Sequence, residues 1–157
     1  MDNINMIFPD ESFNLISARH TIIEAKQIHK ALKSKGILVI EGVDKKDCWE
    51  LKELFGRGQA YKDKNPISKI DYENLVEAGF SNIELVEVIE NEYYETEEDL
   101  LALLLKTPIL DDFSEENHEL KLRKEIELDI LKEYLNKYKT EKGILLKRRL
   151  YGIIAKK

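Results

Sequence analysis

The sequence has a single cysteine, Cys48, so no intrachain disulfide can form. A lone thiol fits a reducing compartment. The N-terminus lacks a basic region followed by an apolar stretch, so no signal peptide is read and a cytoplasmic location is expected. Long apolar runs are also lacking. The most apolar one, Leu100 to Leu105, is far too short to span a bilayer, and no membrane association is expected. His20, His29 and Cys48 are not spaced as metal ligands, so no metal site is expected. No Ser-His-Asp or paired-carboxylate arrangement stands out. Repeats, low-complexity segments and linkers are missing, and the 157 residues suit a single domain, 1–157.

Apolar residues make up 43% and charged residues 36%, which describes a folded chain rather than a disordered one. A net charge of -6 argues against a general nucleic-acid binder. The charge is uneven. The stretch from Glu84 to Asp99 contains no Lys or Arg among its carboxylates, whereas Lys139 to Lys157 is mainly basic. Two solvated surfaces of opposite sign are the plain reading.

Phe13-Asn-Leu-Ile-Ser17 reads as a strand. Thr21 and Glu24 have capping-box spacing and predict a helix bearing Ile22, Ala25, Ile28 and Leu32, stopped by a left-handed Gly36. Ile37 to Ile40 is apolar without alternation, as in a strand buried on both faces. Asp47 is read as opening a short helix, and Phe55-Gly-Arg-Gly-Gln59 as a loop after it. Ser68 with Asp71 predicts a helix ending at Gly79, followed by a strand over Phe80 to Ile89. Thr96 with Asp99 predicts a Leu-rich helix ending near Pro108. A long helix is expected from Asp112 to Tyr138, ended by Gly143, and a last strand over Ile144 to Ala155. Alternation of this kind points to an α/β sheet with helices on both faces.

Three segments carry a family resemblance. They are Phe8-Pro-Asp-Glu-Ser-Phe-Asn-Leu-Ile16 through Lys35-Gly-Ile-Leu-Val-Ile40, Asp71-Tyr-Glu-Asn-Leu-Val-Glu-Ala-Gly-Phe80, and Tyr151-Gly-Ile-Ile-Ala-Lys-Lys157. In this order they resemble the C-terminal part of class I S-adenosylmethionine-dependent methyltransferases of the general type 11 kind. The resemblance implies a partial Rossmann-like sheet supplying the fourth to seventh strands, one of them antiparallel. The family's glycine-rich cofactor loop has no counterpart: Gly56-Arg-Gly58 is the only Gly-x-Gly, and it follows a helix.

The resemblance also implies the site. Asp2 stands where the family often holds the adenine amino group, and Ser17 and Ala18 follow the strand that ends at the cofactor. In open α/β sheets ligands lie beyond the carboxyl ends of strands, which puts Arg19 and His20 forward as catalytic residues. A histidine there could take a proton from a substrate oxygen or nitrogen. A loop histidine helping to cap a helix is the plain alternative. Glu41, Arg57, Tyr93 and Tyr94 are the substrate-binding candidates, each with a structural alternative as solvated carboxylate, turn residue or packing aromatic. The Asn/Asp-Pro-Pro-Tyr motif of amino-directed nucleic-acid methyltransferases is absent, which favours a small-molecule acceptor. The reading is an incomplete or split enzyme that needs a cofactor-binding half, with S-adenosylmethionine as its cofactor if it has one. The alternative is a non-catalytic, dimerising interaction module on the same fold. A homodimer or a complementing N-terminal methyltransferase subunit would cover the strand edge at Phe13 to Ser17.

Overall fold

The structure is a computed structural model and describes residues 8–110 and 125–157. It is mixed α/β. The strands are β1 (Phe13–Arg19), β2 (Leu32–Val43), β3 (Ser81–Tyr94), β4 (Lys139–Thr140) and β5 (Gly143–Lys156). The helices are α1 (Ala25–Ala31), α2 (Trp49–Phe55), α3 (Ile67–Ala78), α4 (Glu97–Lys106) and α5 (Glu125–Tyr138), with a 3-10 turn at Pro108–Leu110. The expected start of the long helix at Asp112 lies outside the described residues. The strands form one sheet in the order β1-β2-β5-β3, with β4 paired to β5. Among the described residues, no helix is long and apolar enough to cross a membrane.

The chain divides into two compact units. The first comprises Met1–Asp44, Lys64–Val88 and Leu150–Lys157. Its centre is β2, which runs parallel to β1 (Leu15 opposite Ile37, Arg19 opposite Glu41) and antiparallel to β5 (Ile37 opposite Lys156, Val43 opposite Leu150). Leu38 and Ile40 of β2 are buried with Ile153 and Ala155 of β5, while Ile37 and Val39 are half-buried. Burial on both faces is therefore only partly realised. Ile23, Ala25, Leu32, Leu75 and Phe80 complete this core.

Two of the expected helix starts are displaced. The helix after β1 begins at Ala25, not Thr21, and the Thr21 hydroxyl donates to the Ile22 carbonyl. The chain between them is spent on placing Ile23 in the core. Ser68 and Asp71 make no capping box either. The Ser68 hydroxyl donates to Asp44 (3.1 Å), and Asp71 accepts from Tyr151. Pro66 precedes the helix instead, and Gly79 ends it in the left-handed region (φ 92°) as expected.

Gly36 stops no helix. It lies inside β2, one residue after a left-handed Lys35 (φ 65°). The register slips here: Phe13 faces Leu32, yet Leu15 faces Ile37. A Cβ on Gly36 would lie 2.8 Å from the Lys33 carbonyl oxygen, so the bulge requires close backbone approach rather than a positive φ. The Lys157 ammonium donates to Leu32 O (2.6 Å) and its N–H to Gly36 O (3.0 Å), which ties the bulge down.

The second unit comprises Lys45–Asp63 and Ile89–Arg149. Cys48, Leu51, Leu100, Leu104, Leu110, Leu131, Tyr134 and Leu146 are buried together. The Thr96–Asp99 capping box forms as read, with Asp99 N–H donating to Thr96 Oγ1 (3.1 Å) and Thr96 N–H to Asp99 Oδ2 (3.2 Å). Gly143 is the first residue of β5, in a left-handed conformation (φ 117°), because the helix has already ended at Tyr138. Asp47 caps nothing. It is 1% exposed and accepts from Arg148 Nε (2.9 Å) and from Arg149 N–H (2.8 Å). Arg148 also reaches both oxygens of Glu92 at 3.1 Å. Arg148 therefore interrupts the apolar run of β5 in order to neutralise a buried carboxylate.

Removing one member of such a buried pair strands the other. Arg148→Met is expected to lose roughly 3–5 kcal/mol of stability by urea denaturation. The double variant Asp47→Asn with Arg148→Met should recover part of that loss.

Candidate functional site at the carboxyl ends of β1 and β2

Strands β1 and β2 end side by side because they pair in parallel register, with Arg19 opposite Glu41. The two side chains meet: Arg19 Nε lies 3.0 Å from Glu41 Oε1. His20 follows at once, and its backbone N–H donates to the Glu41 carbonyl (2.9 Å). The His20 imidazole Nε2 lies 3.4 Å from the same Glu41 Oε1. Two chemically capable side chains, Arg19 and His20, thus converge on one oxygen of the Glu41 carboxylate. All three are partly open to solvent. His20 holds φ 48°, a left-handed conformation uncommon for a residue with a Cβ.

A cleft of about 220 Å³ opens beside them. Ser17, Ala18 and Arg19 line it from β1, and Ile22, Ile23 and Ile28 from the following loop and helix. Ser17, Arg19, Thr21, Glu24 and Gln27 are its polar lining residues, and the rest are apolar. The cleft falls below the ~300 Å³ of the smallest ordinary ligand pockets.

One residue beyond Glu41 lies a group not recognised from the sequence. A Cβ on Gly42 would fall 2.1 Å from the Tyr151 ring, so glycine is what lets that ring cross the strand. The Tyr151 hydroxyl donates to Asp71 Oδ2 at 2.5 Å. Burial raises the Asp71 carboxyl above its usual range, opposed by that hydrogen bond. Burial, then Asp71, pushes the Tyr151 hydroxyl up as well. The available signal was the glycine directly after a strand-end carboxylate.

The other candidates are placed as follows. Arg57, Tyr93 and Tyr94 belong to the second unit. Arg57 donates to Leu110 O (2.7 Å) and to Glu127 Oε1 (3.0 Å), so its guanidinium holds that unit's own chain. Tyr93 and Tyr94 lie within β3, which runs five residues past the expected end at Ile89. Tyr94 donates to Glu92 Oε2 (3.0 Å), and burial with that neighbour pushes its hydroxyl up to about 12. Tyr93 is 40% exposed, with the Lys142 ammonium 5.7 Å from its ring centre. Asp2 lies outside the described residues. Among those described, no group of His, Cys, Asp and Glu could hold a metal ion. Cys48 is buried, with its pKa raised by burial and then by Asp47, which makes it an inert thiol.

No family model and no curated protein sequence matches the chain. Solved structures do. A proposed methyltransferase from Bacillus halodurans is 14% identical, with a TM-score of 0.54 over 99% of this chain and 69% of its own. A SAM-dependent methyltransferase from Archaeoglobus fulgidus is 21% identical (TM-score 0.44, 95% of this chain, 61% of its own). Another from Thermotoga maritima is 15% identical (TM-score 0.45, 98% and 60%). The chain therefore spans about three fifths to two thirds of the length of these proteins. The likeness to the Bacillus halodurans protein shows a shared mixed α/β fold.

Two outcomes follow from the geometry. Asp71 has a raised folded pKa, so its contribution to stability is full below the unfolded carboxylate pKa and is lost as pH rises through the folded value. Urea midpoints measured from about pH 4 to about pH 7 should fall less in Asp71→Asn than in the wild type. His20→Gly should relieve about 1 kcal/mol of backbone strain and leave the chain no less stable in the same assay.

Proposed function

We propose that this chain is the acceptor-side part of a SAM-dependent methyltransferase that acts on a small molecule once a cofactor-binding half completes it. The observation that carries this reading is the sheet order β1-β2-β5-β3 with β5 antiparallel to β2. It fits the expected fourth, fifth, seventh and sixth strands of the family sheet, with one strand reversed. The small cleft at the end of β1 supports the same reading, because it suits part of the cofactor and leaves the rest for another segment to enclose.

In this reading Ser17 and Ala18 lie against the cofactor, with Asp2 as a third contact. The cofactor supplies an electrophilic methyl group. His20 takes a proton from the acceptor's oxygen or nitrogen, and Glu41 holds the imidazole and the Arg19 guanidinium in place. Arg19, bonded through Nε, leaves its terminal nitrogens to orient the acceptor. Glu41 remains the substrate-binding candidate beside Arg19 and His20. Proximity and orientation supply most of the acceleration in a transfer of this kind. The completing half sits in the same polypeptide or in a separate subunit along β1. A homodimerising module without catalysis is the rival reading, favoured by the exposure of Leu15 (58%) on a strand at the end of the sheet.

The test is isothermal titration of S-adenosylhomocysteine into the folded chain, alone and co-purified with the first three strands and glycine-rich loop of a methyltransferase. The expected result is binding only with the added half, and a loss of methyl transfer of about a hundredfold or more in His20→Ala. Micromolar binding by the chain alone would refute the need for a second half. No binding in either form, with a dimer lost on Leu15→Lys, would replace the enzyme by the interaction module.

A further inference from the structure

A second cleft, of about 470 Å³, opens within the second unit. Its volume falls inside the ~300–1,000 Å³ of ordinary small-molecule sites. Leu135 of α5 and Ile144 of β5 line it, and both are buried, so part of its surface is a fixed apolar floor. Glu95 and Glu97 line it from the start of α4, and Lys132, Asn136 and Lys139 from α5 and β4. Local structure places these groups. The Thr96–Asp99 box starts α4 and engages Asp99 in the cap, which leaves Glu97 to the cleft. Strand β4 sets Lys139 opposite Ile144, and the Thr140 hydroxyl closes the turn by donating to Gly143 O (2.8 Å). A Cβ on Gly143 would fall 2.6 Å from the Tyr94 carbonyl oxygen, so glycine lets the start of β5 close against the chain leading into α4.

Lys132 pairs with Asp129 (3.2 Å). Among the described residues, neither Lys132 nor Lys139 bridges to Glu95 or Glu97, although all four line one cleft. Opposite charges that share a cleft without meeting suit a molecule that carries both. A simple anion meets two carboxylates there and a simple cation two ammonium groups, so either charge alone is opposed. We propose that this cleft binds a small zwitterion whose ammonium and carboxylate groups stand at opposite ends of an apolar chain, an ω-amino acid. The ammonium group lies at Glu95 and Glu97 and the carboxylate at Lys139, with the Asn136 amide as a further donor. The methylene chain covers Leu135 and Ile144. An α-amino acid such as glycine carries both charged groups on one carbon and has no chain to cover the floor.

The probe is ε-aminohexanoate, titrated into the isotope-labelled full chain at low salt and followed by two-dimensional amide NMR. Saturable shifts should fall on Glu95, Glu97, Lys139 and Ile144. Hexylamine, hexanoate and glycine should each bind about fivefold more weakly, the upper end for a solvent-facing ion pair. In Glu95→Gln with Glu97→Gln, ε-aminohexanoate should bind no better than hexanoate. In Lys132→Gln with Lys139→Gln, it should bind no better than hexylamine. Dispersed spectra in both variants show that the fold is kept, and either variant alone suffices for the comparison. Equal affinity of the wild type for ε-aminohexanoate and hexylamine would reduce the cleft to a cation site and overturn the zwitterion. Equal affinity for ε-aminohexanoate and hexanoate would do the same in favour of an anion site. Shifts confined to other residues, or none in the folded chain, would overturn the cleft as a binding site.

Discussion

Strand β2 is paired along both edges, and the first unit depends on that double pairing. Its parallel partner β1 fixes Arg19 beside Glu41, and its antiparallel partner β5 carries Tyr151 across Gly42. The same pairing buries Leu38, Ile40, Ile153 and Ala155. A slip of one residue would turn each buried side chain to the opposite face, so register is strongly specified. The bulge before Ile37 takes up the excess chain between Leu32 and the site, and Lys157 bonds it in place. The candidate site inherits its geometry from that register, and no loop has to find it.

What could be read from the sequence divides by the range of the interactions concerned. The Thr96–Asp99 box is a local exchange of two hydrogen bonds, and it forms where the spacing places it. Thr21–Glu24 and Ser68–Asp71 have identical spacing and fail. In the second case both side chains are drawn to distant partners, Asp44 and Tyr151, which a local pattern does not contain. Glycines show the same limit. Gly79 stops its helix with a left-handed turn, Gly36 permits a close approach inside a strand, and Gly143 opens one. Three physical uses of glycine look alike in one dimension.

The site residues were legible as strand ends rather than as a cluster. Arg19, His20 and Glu41 follow apolar strand runs, and the rule that ligands lie past the carboxyl ends of strands selects them. The convergence of Arg19 and His20 on one Glu41 oxygen follows from strand register, which composition does not reveal. Asp47 and Arg148 were harder still. They are 101 positions apart in sequence, and each looked locally like something else, a helix start and a break in a strand. Only the burial of Asp47 explains the arginine.

At β1 the terminal residues carry a backbone-strained histidine, a shared carboxylate and a small cleft. An open cluster of this kind is poorly suited to acting alone. Solvent screens Arg19, which is largely exposed, and Glu41, which is partly so, and water competes for every donor. Electrostatic preorganisation gains its strength from exclusion of water, so the cluster acquires power only under a cover. Strain at His20 is consistent with that demand: a conformation costing free energy persists when the surrounding pairing holds it, and here the Glu41 carbonyl does so.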